Sequence, residues 1–249
     1  VFATVIKEYL SENWLKTNEN YRAGKEKQVY YFSLEFLLGK MMCSNIINLG
    51  LEEICTEVMN ELDLNLDELE KYDAEPGLGN GGLGRLSACF LDSMASIGIP
   101  GHGCGIRYDY GLFEQKIVNG EQIEGPDNWL KNGFVWETKK THQSQKIKFY
   151  GDVTLKEIAG YLTPIHTGYE TILAVPYDVP IVGYKNKIVN NLRLWKAQIQ
   201  GNDFDFNSFS YGTFSKLDEQ KRNAEAISKL LYPDDTTEGG RLLRLKQCY

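Results

Sequence analysis

The chain has 249 residues, 42% of them hydrophobic, with 34 acidic against 27 basic side chains and a net charge of −7. That is enough apolar material for one large domain or two small ones, and the acidic balance argues against a nucleic-acid partner. No apolar run approaches the roughly 18 residues of a membrane-spanning helix, and VFATVIKEYL lacks the layout of a secretory signal.

In chain order, residues 1–20 read as a helix with Phe2, Ile6, Tyr9 and Trp14 on one broad face. The run VYYFSLEFLL, Val29–Leu38, is nearly continuous in apolar residues and predicts a strand buried on both faces, with Glu35 as its only charge. A carboxylate in such a strand needs a partner or a function. Two or three helices follow from Met41 to about Lys71, with Ile54, Val58 and Leu62 as one apolar stripe. A further helix carries Leu86, Cys89, Phe90, Met94 and Ile97, and Gly98 and Pro100 supply its stop. Then the period changes. Asn119-Gly120 marks a tight hairpin, and Lys146–Leu155, Thr171–Gly183 and Lys187–Ala197 read as strands. Helices close the chain, from about Leu217 to Leu231 and from Glu238 onward. The order predicts an α/β domain whose sheet is mixed, with antiparallel strands and flanking helices.

Cys43, Cys55, Cys89, Cys104 and Cys248 are widely spaced, with no C-x-x-C pair and no Cys/His cluster at zinc spacing. They read as reduced, mostly buried thiols of a cytoplasmic protein, with no metal site. Val1 opens inside an apolar pattern, and Leu242, Leu245 and Tyr249 keep helical spacing without a stop signal. A piece of a longer protein is therefore expected.

GLGNGGLGRL, Gly77–Leu86, holds the most information: five of its ten residues are glycine, and a helix follows directly. Glycine lets backbone approach a ligand closely. A helix opening beyond it presents unpaired N–H groups and a positive dipole end, which suits an anion such as phosphate. The run contains G-x-G-x-x-G, but the preceding residues EKYDAEP are not a hydrophobic strand, and no acidic residue ends a second strand at the dinucleotide spacing. Arg85 and Leu86 stand where a nucleotide-triphosphate loop needs Lys and Ser or Thr. A tight loop that merely packs a helix on a sheet is the alternative.

The segment Glu75–Ile117 closely resembles the glycogen and maltodextrin phosphorylases. Tyr30–Lys40, Gly125–Leu130, Leu173–Ala197 and Lys229–Tyr249 resemble the same family in the same order. The resemblance implies an incomplete N-terminal Rossmann-like domain of a two-domain GT-B glycosyltransferase, spanning residues 1–249, with the C-terminal cofactor domain absent. It implies cleavage of terminal α-1,4-glucosyl units by inorganic phosphate, giving glucose 1-phosphate, with pyridoxal phosphate as cofactor. Gly81 and Gly82 match the glycines whose loop amides face the phosphates. Leu83 and Asn80 match residues beside the glucosyl unit, and Glu35 matches a carboxylate at the pocket edge. Arg85 reads as a loop anchor, Asp127 and Trp129 as structural. Leu37 stands where animal relatives carry tyrosine and bacterial ones leucine. Positions matching the nucleotide effector site carry Asn18, Glu19 and Arg22, so control by AMP is not implied. No catalytic residue is assigned in this stretch, and no lysine in it is assigned to the cofactor. The stretch alone is expected to be inactive and prone to self-association, and the parent to be a homodimer. A non-catalytic glucan-binding or interaction module is the alternative from a different class, and a dinucleotide-binding oxidoreductase a distant third.

Overall fold

The computed structural model describes residues 1–199, 210 and 214–249. A long helix, α1 (Phe2–Gly24), leads into a short strand, β1 (Val29–Phe32). Four helices follow: α2 (Met42–Leu49), α3 (Glu52–Glu61), α4 (Leu66–Glu70) and α5 (Gly82–Ser96). They form the crossover that two parallel strands require, because β2 (Gly101–Ile106) returns alongside β1 with Val29 opposite Gly101 and Phe32 opposite Cys104.

The chain then leaves the sheet in a ribbon, β3 (Gly111–Val118) and β4 (Glu121–Asp127). Two short strands, β5 (Thr138–Lys139) and β6 (Gln145–Phe149), flank a single 3-10 turn. A second ribbon follows, β7 (Asp152–Ile158) with β8 (Tyr161–Thr167), before the long strands β9 (Glu170–Val182) and β10 (Val189–Ile199). The main sheet runs β1-β2-β10-β9-β5, with β6 also on β9. It is parallel from β1 to β10 and antiparallel beyond. Helices α6 (Phe214–Ile227) and α7 (Glu238–Cys248) complete the chain. The fold is mixed α/β, as the order of elements predicts.

The core lies where α1, α2 and α5 meet β9 and β10, around Ile6, Leu10, Ile46, Leu91, Val179, Ile181 and Leu192. Close approach matters more there than bulk. A Cβ at Gly103 would stand 2.7 Å from Leu192 and 2.8 Å from Leu91, so β2 and α5 touch because that position has no side chain. The turn before α7 is just as tight. Thr237 caps the helix by accepting from Gly240 N at 3.1 Å, and a Cβ at Gly240 would lie 1.6 Å from the Asp234 carbonyl oxygen. Gly240→Ala is expected to displace this turn and lower stability by about 1–3 kcal/mol, read as a fall in the thermal midpoint. An unchanged midpoint would show that the turn yields freely.

Several expectations need correcting. β1 stops at Phe32, and the strand is an edge whose residues are largely exposed, Phe32 at 77%. Glu35 therefore sits in the irregular segment after β1, not within a doubly covered strand. On α1, Tyr9 faces solvent, and Leu10, Thr17 and Tyr21 join Ile6 inside. On α3, Ile54 and Val58 are exposed, as is Leu62 just beyond it, while Cys55 and Met59 are buried. On α5, Leu86, Cys89 and Phe90 face out, and Gly84, Ser87, Ala88, Leu91 and Ala95 face in. Lys146–Leu155 is two strands broken at Tyr150-Gly151, both at positive φ. Strands β2, β5 and β8 lie outside the strands expected from the sequence. Only Cys55 among the cysteines is buried, and all five are unpaired. The Asn119-Gly120 turn does close a hairpin, with φ of 54° and 84°. Among the described residues, no helix is long and apolar enough to cross a membrane, and no cluster could hold a metal ion.

Candidate functional site

The glycine run joins α4 to α5, and the segment after β1 crosses directly against it. Phe36 N donates to Leu78 O at 2.9 Å, and Leu37 N donates to Gly84 O at 3.0 Å. Leu112 N, from β3, donates to Gly77 O at 3.1 Å. Leu78 is buried and fixes the run in the core. The loop is thus stitched on two sides by main-chain bonds, which satisfies backbone groups that burial would otherwise strand.

Its glycines divide into two sets. A Cβ at Gly79 would lie 3.0 Å from Leu37 Cβ and 3.2 Å from Gly84 Cα; one at Gly84 would lie 3.0 Å from Glu35 Oε2. One at Gly77 would meet Asp127 Oδ2 at 2.9 Å. These three glycines make room for the fold. Gly81 and Gly82 are different: nothing lies within 4 Å of where their Cβ atoms would be. Packing does not require glycine at either position.

The first helical bond of α5 is Arg85 N to Gly81 O at 2.8 Å. The N–H groups of Gly82, Leu83 and Gly84 therefore start the helix without a backbone acceptor. They carry the positive end of a 15-residue helix. Leu83 is 72% exposed beside them, and Asn80 is exposed one residue before Gly81.

Glu35 is 5% exposed and lies beneath this loop. Its Oε2 accepts from Asn80 N at 2.9 Å, and its Oε1 accepts from the Tyr232 phenol. Both oxygens are thereby engaged by the protein, which allows a carboxylate to be buried. Arg85 does not pair with it; its Nη1 donates to Leu37 O at 3.3 Å and Leu38 O at 3.2 Å. Tyr108 donates to Leu34 O at 3.1 Å, and burial beside Glu35 pushes its phenol well above the usual range. Trp129 is buried, donating Nε1 to Tyr108 O at 3.1 Å. Burial and the nearby Glu114 and Glu75 raise Asp127 above the ordinary carboxylate range.

The structure brings Glu35, Asn80, Gly81, Gly82, Leu83 and Arg85 together around one loop. Two residues that frame this loop were missed from sequence. Asp73 accepts from Met41 N and Met42 N, both at 2.9 Å, and from Trp136 Nε1 at 3.0 Å. Tyr232 arrives from the far end of the chain. Nothing local marked Asp73; Tyr232 stood in LYPDD, a turn-like sequence whose partner lies 197 residues away.

The loop opens outward at Gly81 and Gly82. A family model described as carbohydrate phosphorylase matches residues 59–249. A glycogen phosphorylase of Bacillus subtilis is 48% identical over 98% of this chain and 30% of its own length. One from Chlamydia pneumoniae is 44% identical over 99% of this chain and 30% of its own. The human brain form of glycogen phosphorylase is 43% identical, over 99% of this chain and 29% of its own. The chain thus spans about 30% of the length of the curated relatives it matches. On a match that extends through the glycine loop, α5 and the whole sheet beyond β1, this chain belongs to the carbohydrate phosphorylase family.

Proposed function

We propose that the chain forms the glycine-loop wall of an α-glucan phosphorylase active site, within the N-terminal domain of a two-domain GT-B glycosyltransferase. The whole protein would cleave terminal α-1,4-glucosyl units with inorganic phosphate to yield glucose 1-phosphate. The observation that carries this reading is the outward opening of Gly81 and Gly82 at the start of α5. Hydrolysis would need two carboxylates flanking the bond. Phosphorolysis needs a place for an anion, and backbone N–H groups without side chains supply one.

Within this reading the amides of Gly81 and Gly82 address phosphate oxygens. Leu83, through its backbone, and Asn80 border the glucosyl unit. Glu35 acts from beneath by holding Asn80 N, and Arg85 ties the loop to Leu37 and Leu38. Pyridoxal phosphate, when bound, supplies a 5′-phosphate that exchanges a proton with the substrate phosphate. The open cradle at Gly81 and Gly82 suits a phosphate group, and no lysine of this chain is assigned to the cofactor. The partners are glucan and phosphate in a cytoplasmic homodimer, a setting that five unpaired cysteines suit. The exposed apolar residues of α3 and α5 support self-association of the 249-residue chain in isolation.

The full-length protein, loaded with pyridoxal phosphate, is expected to release glucose 1-phosphate from maltodextrin or glycogen when phosphate is supplied. The 249-residue chain alone is expected to release none, because groups must converge on the bond from both sides. Glucan binding by the full-length protein without phosphorolysis would overturn the enzyme reading in favour of a binding module.

A further inference from the structure

We infer that Tyr232 is a positioning residue for the phosphate-facing loop, acting through Glu35. The inference rests on the phosphorylase reading of Gly81 and Gly82.

Tyr232 lies in the connection between α6 and α7. It has φ +57° and precedes Pro233. That backbone region is uncommon for a bulky residue, and the position before proline narrows the choice further. Such a conformation persists only when the surroundings over-determine it, and it clusters at functional sites. The surroundings here are specific. Leu231 is buried, and Gln247 of α7 donates Nε2 to Leu230 O at 2.9 Å and to Ile227 O at 3.0 Å. The Arg244 guanidinium stands 5.8 Å from the Tyr232 ring centroid and also pairs with Asp235. The ring is thereby aimed at the buried Glu35, to which the phenol donates.

Among the described residues, the two carboxylate oxygens of Glu35 meet two donors. The phenol takes Oε1, which leaves Oε2 directed at Asn80 N, 2.9 Å away. Asn80 immediately precedes Gly81, so the plane of that amide sets where the loop turns outward. Without the phenol, the carboxylate keeps one donor and can rotate, and Asn80 N–H loses its fixed acceptor. Phosphate, gripped by the next amides along, should feel this most; the glucosyl unit, bordered by the Asn80 side chain, should feel it less.

The test uses the full-length protein loaded with pyridoxal phosphate and the variants Tyr232→Phe, Glu35→Gln, the double variant and Gly81→Ala. Tyr232→Phe keeps the ring and removes one oxygen. It is expected to raise the KM for phosphate about tenfold, the usual scale for a hydrogen bond to a charged group, and to raise the KM for glucan by a smaller factor. The upward thermal shift produced by inorganic phosphate should shrink in parallel, a readout that does not depend on turnover. Glu35→Gln should behave alike, and the double variant should match the worse single one, because both act on one chain of contacts. An unchanged phosphate KM and thermal shift in Tyr232→Phe, or losses that multiply in the double variant, would overturn the role. Gly81→Ala separates the two readings. If it alone loses phosphate binding while Tyr232→Phe is silent, the positioning role falls and the phosphate loop stands. If Gly81→Ala is silent too, the phosphate loop falls and takes the positioning role with it.

Discussion

Gly82→Ala in the full-length protein is expected to cut kcat/KM for phosphorolysis by about 100-fold or more: alanine keeps the N–H, but its methyl fills the open space through which the anion would reach that donor, so the loss is on the scale of one donor to a reacting anion. Stability should not fall with it. Gly82 is the first residue of α5, and nothing lies within 4 Å of its added Cβ. Alanine also costs less backbone entropy than glycine in a helix, by up to about 1 kcal/mol. The variant should therefore melt at or slightly above the temperature of the unmodified protein while turning over far more slowly. The contrast with Gly79 and Gly84 sharpens the point, since an added Cβ there meets Leu37 or Glu35 and should cost stability first. Paired steady-state kinetics and thermal melts decide the matter. Activity of Gly82→Ala within a few-fold of the parent would remove Gly82 from the proposed phosphate-binding loop.

Asp73→Ala carries the largest expected effect on stability. Helix α2 has no side-chain cap of its own at Met41; Asp73 Oδ2 supplies it from 32 residues away by accepting from Met41 N and Met42 N. Its Oδ1 accepts from Trp136 Nε1, and Trp136 is 0% exposed. Truncation would leave that indole N–H buried without a partner and uncap the helix together. Losing these charge-assisted bonds and orphaning one buried donor should cost roughly 3–5 kcal/mol. Asp73→Asn, which keeps one acceptor oxygen, should lose about half as much. Thermal melting of the full-length variants would show the order Asp, Asn, Ala. Equal midpoints for all three would mean that water replaces the carboxylate at no cost. Because Asp73 lies just ahead of Gly77, the alanine variant should also loosen the glycine loop.

Much of this arrangement was legible in the sequence, for identifiable reasons. Glycine density followed by a helix pattern placed the loop and the start of α5. Positive φ at Asn119-Gly120 is a local demand, so that turn could be read locally. The long strands β9 and β10 announced themselves by length. Burial was read less well. On α5 the large apolar residues Leu86 and Phe90 suggested the inner face, yet the buried side carries Leu91 among the small residues Gly84, Ser87, Ala88 and Ala95. Small residues win there because the helix lies close to a strand that itself carries glycine at 101, 103 and 105. Periodicity finds a stripe; which stripe turns inward depends on how near the neighbour comes. The same limit explains β1, whose aromatic run reads as core but occupies an edge. Glu35 was noticed because a charge among apolar residues is conspicuous. Its donors were not, since Asn80 contributes a backbone group and Tyr232 a contact across 197 residues.

The loop's stitching has an evolutionary consequence. Phe36, Leu37 and Leu112 hold it by N–H groups, and Arg85 grips the carbonyls of Leu37 and Leu38. Main-chain bonds do not ask what side chain hangs from them. Positions such as Leu37 and Leu112 can therefore drift among residues of similar bulk while the cradle keeps its shape. Lineages can diverge around the site without redesigning it, and selection has only a few side chains there to guard.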